Sequence, residues 1–572
     1  MLETIADRFR PVFQRYADDA DPIARRSEHA DVQLNGVLPL AKRLGRAPRE
    51  LAEEIIAGLD LSEVCSEVEI AGPGFVNLTL SSEFLAAQLA RQVADDRLGV
   101  DAPARTQSVV VDYASPNVAK EMHVGHLRST IIGDALVRLL SFQGHRVIRE
   151  NHVGDWGTPF GMLIEHLRDL GEEEAAKELD VGELNDFYQA ARRSFDTDPD
   201  FAERSRRRVV ALQSGDDKET LRLWRSLVDH SVVYFSAVFA RLGVLLTPDD
   251  VVGESAYNDL LPGVVDALEE AGLLVESEGA RCVFPPGFTN RDGEPLPLIV
   301  QKSDGGYNYA ATDLACVRDR VERLGADLLL YVVGLPQTQH FEMVFAVCRE
   351  LGWLGHGAEA EHVAFGSVLG EDHKMLRTRA GGTVKLVELL DEAVDRARAT
   401  VREKNPTLAD AEIESVAQAV GIGAVKYADL STERTRDYVL DFDRMLAFEG
   451  NTAPYLQYAH ARICSILRRA AEEGVGTGAF SPLEEPPERA LGLALASYAD
   501  AVDGAFDARG PHRLCTYLFE LAGAYTSIYE QCPVLRAPNA TTRDRRLALC
   551  ELTRRVLAHG LSLLGIAAPE RM

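Results

Sequence analysis

Two histidines at i and i+3, His123-Val124-Gly125-His126, stand where a buried strand pattern gives way to a helical one. The free N–H groups and dipole of a helix N-terminus favour anions. Imidazoles placed there can donate to a triphosphate as negative charge builds on a leaving group. Gly125 leaves room for a flat base to approach the backbone. The plainer reading of the same four residues is a His-x-x-His metal pair or two surface histidines. Farther along comes Lys374-Met375-Leu376-Arg377-Thr378, continued by Arg379-Ala380-Gly381-Gly382-Thr383. Two cations at i and i+3 on a glycine-flanked loop can close over departing pyrophosphate, stabilising charge present only in the transition state. Taken alone, this is a basic surface loop. Lysine is scarce, with nine against 52 arginines, so Lys120, Lys302, Lys374 and Lys385 stand out by falling in or beside these segments.

Two acids could grip a cation. Asp112 ends the strand pattern Val109-Val110-Val111, at the carboxyl edge where α/β sheets bind ligands. Asp313 follows Tyr309 by four residues, so a helix would present both on one face. Carboxylates in a fork geometry suit a guanidinium, whose five N–H donors need partners once desolvated. A strand-end cap for Asp112 and a surface charge for Asp313 are the plainer alternatives.

The elements that must position these residues are legible in outline. Residues 1 to about 105 read as a small α/β unit. A helix near Glu50 to Leu59 precedes two strands, Val68-Glu69-Ile70 and Phe75-Val76-Asn77-Leu78, joined by Gly72-Pro73-Gly74. Asp101-Ala102-Pro103-Ala104 reads as a linker. A strand at 109–111, a helix from about Gly125 stopped by Gly144, and a β run at Val147-Ile148 give a β-α-β order. That order predicts a doubly wound, Rossmann-type parallel sheet. Residues 165–240 are charge-rich and helical, an insertion. Strand patterns return at Leu298-Ile299-Val300 and Leu328 to Val333, and every strong pattern from Leu386 onward is helical. The expected divisions are 1–105, a catalytic α/β domain over 106–385, a helical connector over 386–446, and an all-α domain over 447–572.

A chain of 572 residues exceeds one hydrophobic core, so roughly three to five domains are expected. Its 46% hydrophobic and 26% charged content is that of a globular protein. No apolar window is long enough to cross a membrane. The N-terminus has no signal-peptide pattern. Eight scattered cysteines without a Cys-x-x-Cys pair argue against a zinc ribbon or a disulfide framework, which predicts reduced thiols in the cytoplasm. A net charge of −28 repels polyanions as a whole. Contact with RNA would then need local patches, for which Arg204-Ser205-Arg206-Arg207-Arg208, the trio Arg543, Arg545 and Arg546, and Arg554-Arg555 are candidates.

The longer strings around these residues carry a resemblance. His123 to His126 resembles the HIGH signature of class I aminoacyl-tRNA synthetases, and Lys374 to Thr378 a degenerate KMSKS signature. Ser115 to Thr130, Asn151-His152-Val153-Gly154-Asp155-Trp156-Gly157 and Thr378 to Leu386 resemble the arginyl-tRNA synthetase family in particular, and the likeness reaches to Pro569-Glu570-Arg571-Met572. It implies arginine–tRNA ligase chemistry with ATP as substrate, magnesium accompanying ATP, no protein-built metal site, and tRNA(Arg) as partner. It further implies a cytoplasmic monomer without membrane contact, and tRNA binding before activation proceeds. ATP would be bound by His123, Gly125, His126 and Lys374. His123, His126, Lys374, Arg377 and Lys120 would serve catalysis. Arg377 stands where the signature has its second lysine, and the family implies that Lys120 compensates; how the three cations divide the work stays open. Asp112, Tyr309 and Asp313 would hold the guanidinium, Asn117 and His123 the backbone groups of arginine, and Gln337 would line the same pocket. Phe448 to Arg462 resembles the start of the family's anticodon-binding domain, with Tyr455, Tyr458, Tyr525 and Tyr529 as candidates to stack on bases. Residues 1–105 resemble its N-terminal extension for the tRNA elbow. Three rival readings lack support: a zinc-dependent class I relative would need Cys/His ligands, a small nucleotidyltransferase would not need the helical C-terminal third, and a non-catalytic RNA binder would not need both phosphate motifs.

Overall fold

Val109 and Val111 pack into one hydrophobic core and Val110 into another; Leu328 and Leu330 likewise part from Leu329 and Tyr331. This two-residue alternation of apolar side chains, with no polar face, is what a strand covered on both sides requires. The chain is described here by a computed structural model covering residues 1–157, 159–171, 184–303, 305–376 and 384–572. Its central sheet has five strands: β1 (Ser108–Asp112), β2 (Arg146–Val153), β3 (Val251–Gly253), β4 (Leu328–Tyr331) and β5 (Glu359–His362). Their spatial order is β5-β4-β1-β2-β3, every neighbour parallel. The chain grows outward from β1 through β2 to β3, then restarts on the other side with β4 and β5. The β1/β4 boundary is therefore a topological switch point, where strand carboxyl ends leave a crevice for ligands. Helix α1 (Val124–Gln143) links β1 to β2 and ends at Gly144, whose φ of +108° supplies the left-handed cap. Helix α2 (Tyr309–Glu322) precedes β4, and α3 (Thr338–Glu350) joins β4 to β5.

Between β2 and β3 lie helices Pro159–Leu170, Leu184–Thr197, Pro199–Ser214 and Lys218–Leu242, which form the expected insertion. The strand at Leu298–Gln301 does not join the parallel sheet. It pairs antiparallel with Ala280–Val283, itself half of a hairpin with Val275–Ser277. That hairpin turns on Glu278 and Gly279, both at positive φ, the geometry that matches strand twist in a two-residue turn.

The N-terminal unit is antiparallel rather than wound: Ala24–Arg25, Val32–Leu34, Phe75–Leu80 and Cys65–Ala71 lie side by side in that order. It owns a separate core around Phe9, Phe13, Leu51 and Leu78. From Leu386 onward the structure is helical with one correction: Tyr438–Val439 forms a short parallel pairing with Val368–Leu369. Lys426, fully buried, donates to the carbonyls of Leu242 (2.9 Å) and Gly565 (2.7 Å). It thereby joins two helix C-termini, where a cation is favoured, and ties the insertion to the C-terminal domain. All eight cysteines are free and buried.

Candidate active site and tRNA-facing surface

His123 is the N-cap of α1, and its ring does more than flank the helix. The Gly125 N–H donates to His123 Nδ1 at 3.0 Å, and the His123 N–H donates to His126 Nδ1 at 3.1 Å. Two otherwise orphaned helix N–H groups are thus satisfied reciprocally. An Nδ1 that accepts carries no proton, so each neutral ring must carry its proton on Nε2. Burial, reinforced by Lys120, holds His123 below the usual imidazole range. Burial again, with His123 and Lys120 adding to it, brings His126 down to about 3. Near neutral pH both rings are therefore uncharged Nε2–H donors in fixed tautomers. A Cβ on residue 125 would lie 2.7 Å from the His123 ring, so Gly125 is required by the cap itself as well as by any approaching base.

The loop from β1 to α1 holds Ala114, Ser115 and Ala119 at positive φ, conformations that cost non-glycine residues about 1–3 kcal/mol each. The surroundings impose them: Ser129 Oγ accepts from Ala114, Asn151 Oδ1 from Ser115 and Ser231 Oγ from Ala119. Gly154 lets this loop lie against β2; a Cβ there would meet Asn117 Oδ1 at 2.3 Å. Asn117 is left exposed. Across the loop, Val124 N–H donates to Val384 O and Leu386 N–H to Met122 O, while Lys385 pairs with buried Glu121 at 2.9 Å. The stretch just after the degenerate KMSKS segment is thus stitched beside His123. Lys374 is exposed and lines a cavity of about 810 Å³ with Met375, Leu440 and Phe442. Lys120 lies 4.5 Å from the centre of the Tyr188 ring, contributed by the insertion. Arg377 falls outside the described residues.

The acids gather at the switch point. Asp112, 5% exposed, is not a bare strand cap: Arg320 Nη2 donates to its Oδ2 (2.7 Å) and Ser115 Oγ to its Oδ1 (3.1 Å). Arg320 Nε reaches Glu150 Oε2 at 2.6 Å. One buried guanidinium is thus shared by two carboxylates. Asp313 lies on α2 one turn after Tyr309, whose ring is 69% exposed, and its Oδ2 is 2.6 Å from His340 Nε2 on α3. Gln337, exposed, caps α3 at the carboxyl end of β4. The charges of Asp112 and Asp313 both act on the buried Tyr331 and Cys316, whose titration burial raises first.

Two titratable groups beside Asp313 escaped the sequence reading, His340 and Glu254. Glu254 follows β3, and burial, with Asp155 and Asp313 adding to it, pushes its carboxyl up to about 7. Asp155, also raised by burial, accepts from the Ser255 N–H (2.9 Å) and Oγ (2.6 Å). No spacing or motif in the sequence signals Glu254; its place just past β3 is visible only in the fold.

Family models match most of the chain in three parts: "Arginyl tRNA synthetase N terminal domain" over residues 2–80, "tRNA synthetases class I (R), catalytic domain" over 88–442, and "DALR anticodon binding domain" over 456–572. The chain belongs to the arginyl-tRNA synthetase family. The arginine–tRNA ligase of Thermobifida fusca is 55% identical over 97% of this chain and 96% of that protein; the Escherichia coli K12 protein is 50% identical over the same shares. Among solved structures, arginyl-tRNA synthetase from Thermus thermophilus matches with a TM-score of 0.85 at 28% identity over the full length of both chains. That from Plasmodium falciparum matches with 0.83 at 28%, over 100% of this chain and 99% of that one.

The C-terminal surface changes the expectations for RNA contact. Tyr458 and Tyr529, 40% and 46% exposed, bracket Arg462, whose guanidinium lies 4.6 and 4.3 Å from their ring centres. Tyr458 and Arg462 are one turn apart on α4 (Ala453–Glu472). Tyr455 on the same helix is half-buried, its ring against Phe519 and its hydroxyl near Thr526. Tyr525 is 0% exposed; its ring fills the core, so it cannot stack on a base.

The basic clusters are also largely spoken for. Arg204 and Arg208 converge on buried Glu165, with Asp169 and Asp217 completing the network. Arg206 and Arg207 face Glu203. Arg545 and Arg546 are themselves buried around Glu488. Arg543 pairs with Asp544, Arg554 with Glu551, and Arg555 donates to the carbonyls of Val93 and Asp95, against the segment that follows the N-terminal unit. Arg545 and Arg546 are thus interior, while Arg206 and Arg207 remain exposed on their helix face.

Proposed function

We propose that the pocket between β1 and β4 holds arginine and ATP for formation of arginyl-adenylate. As a member of its family, the chain is a class I ligase that joins arginine to tRNA at the expense of ATP. The observation that carries the site assignment is the meeting of two kinds of group at one sheet edge. Two uncharged imidazoles with fixed Nε2–H donors stand at a helix start, beside a cluster of carboxylates with fewer cations than acids.

In this reading the arginine carboxylate attacks the α-phosphorus in line, a P–O bond forms, and pyrophosphate leaves with the bond electrons. His123 and His126 donate to the phosphate oxygens as negative charge grows there, at a site that needs no reorganisation. Gly125 lets the nucleotide approach. Lys374, Lys120 and Arg377 supply positive charge toward the leaving group, and magnesium enters bound to ATP. Asp313, Glu254 and Tyr309 face the guanidinium, with Asp112 held beneath by Arg320, and Gln337 lining the rim. Asn117 and His123 hold the α-amino and carboxylate groups. In the second step the terminal adenosine 2′-hydroxyl attacks the carbonyl carbon, and AMP departs. The partner is tRNA(Arg), its unpaired bases stacking on Tyr458 and Tyr529 with Arg462 between them, and Tyr455 at the margin. We also infer a monomer acting in the cytoplasm.

ATP–pyrophosphate exchange with each of the twenty amino acids, with and without tRNA, tests this. Exchange with arginine alone, and only when tRNA is present, is expected. Exchange independent of arginine would overturn the pocket assignment.

A further inference from the structure

His340 stands near the start of α3, three residues after Gln337, and reaches across to α2. Its Nε2 lies 2.6 Å from Asp313 Oδ2, and both side chains are part-buried. Asp313 is the charged group acting on this imidazole, and their hydrogen bond, opposed by burial, raises its titration above the ordinary range. The other close ring is Phe341, edge-on at 5.6 Å.

A lone carboxylate near a helix start turns about its last torsion and hydrates both oxygens. A guanidinium is a rigid planar fork, and its bonds form well only when the accepting carboxylate lies in a matching plane. One fixed donor on Oδ2 removes that freedom and leaves Oδ1, which has no partner among the described residues, for an incoming N–H. We propose that His340 is a positioning residue for arginine recognition, its Nε2–H holding Asp313 in the plane that the substrate guanidinium requires. This rests on the reading that Asp313 binds arginine.

The test compares His340→Ala, His340→Gln, Asp313→Asn and the double variant Asp313→Asn/His340→Ala of the full chain, in ATP–pyrophosphate exchange with saturating tRNA. His340→Ala should raise the arginine KM about tenfold or more, the loss expected for a hydrogen bond to a charged group. The ATP KM and the kcat at saturating arginine should stay within about twofold, because the lost interaction is made equally in ground and transition states. His340→Gln, whose amide reaches the same oxygen, should recover most of the loss. In the Asp313→Asn background, His340→Ala should add almost nothing, since the two act as one unit. Where the alanine variant fails to fold, His340→Leu fills the space without a donor and takes its place. An unchanged arginine KM in the donor-less variant, beside a raised one in Asp313→Asn, would overturn the proposal. Strictly additive effects in the double variant would do the same. An unchanged arginine KM in Asp313→Asn itself would instead remove the reading beneath it.

Discussion

Two buried arginine–carboxylate networks in this molecule have opposite balances. Beneath the β1/β4 crevice one guanidinium, Arg320, serves two acids, Asp112 and Glu150, with Asp155, Glu254 and Asp313 nearby. In the C-terminal domain two guanidinia, Arg545 and Arg546, serve one fully buried acid, Glu488, with Glu484 completing the set at the rim. The second network is complete as it stands, and buried charges in such a set need one another. The first has acid to spare, and desolvation has already pushed one of the spare carboxyls, Glu254, up to about 7. The first network carries more acid than guanidinium, and the second matches its acids with guanidinia.

The sharpest way to break this comparison is to remove one acid from each network. Asp313→Asn should raise the arginine KM by roughly a hundredfold or more, because an orphaned buried charge costs about 3–5 kcal/mol. Its unfolding midpoint should move little, and steady-state exchange kinetics with a urea melt would show both. Glu488→Ala should do the reverse, losing about 3–5 kcal/mol of stability in the same melt while the arginine KM stays put. A raised KM there would erase the distinction between the two networks.

A smaller effect tests the exposed aromatic surface. Arg462→Ala, by unlocking Tyr458 and Tyr529, should weaken tRNA binding about tenfold, on the scale of one base stack. The arginine and ATP constants without limiting tRNA should not change. Tyr525→Phe should leave tRNA affinity untouched, since that ring is interior. Filter binding of tRNA to both variants decides the matter.

The mildest effect is in pH. Glu254 must shed its proton to receive a guanidinium, so arginine binding should weaken as pH falls through about 7, approaching about tenfold per unit well below it. Its folded value lies above the ordinary carboxyl value, so the uncomplexed side chain costs stability above about pH 7 and none below about 4.5. Arginine should therefore raise the melting temperature more at pH 8 than at pH 6. Glu254→Gln should flatten that difference, and a variant with the same pH dependence as the parent would clear Glu254 of the role.

Much of the scaffold was legible because its periodicities are local. Val109 to Val111 and Leu328 to Leu330 are short continuous apolar runs, as strands covered on both faces require, α1 carries an i+4 apolar recurrence, and Gly144 ends α1 as its type suggests. The paired histidines were legible for the same reason: His123 and His126 are close in sequence and their cap is a single helix turn. Pairings between distant segments were not. Arg320 with Asp112 and His340 with Asp313 are contacts across the fold, and Glu254 lies close enough to Asp155 and Asp313 to feel their charge; no spacing announces any of them. The arginine clusters mislead for the complementary reason. Whether Arg204, Arg545 or Arg546 faces phosphate or carboxylate depends on which acid the fold brings opposite. Tyr525 and Tyr529 share a helix and a residue type, yet one is core and the other surface, because they fall on different faces.

The central proposal, that the carboxylates around Asp313 bind the guanidinium of arginine, is tested most directly by equilibrium binding of arginine against citrulline, which keeps the shape and replaces the guanidinium with a neutral urea. With the full chain, saturating tRNA and no ATP, we expect citrulline to bind at least roughly a hundredfold more weakly than arginine at pH 8, because nothing then neutralises the buried acids. Equal affinities for the two would contradict it.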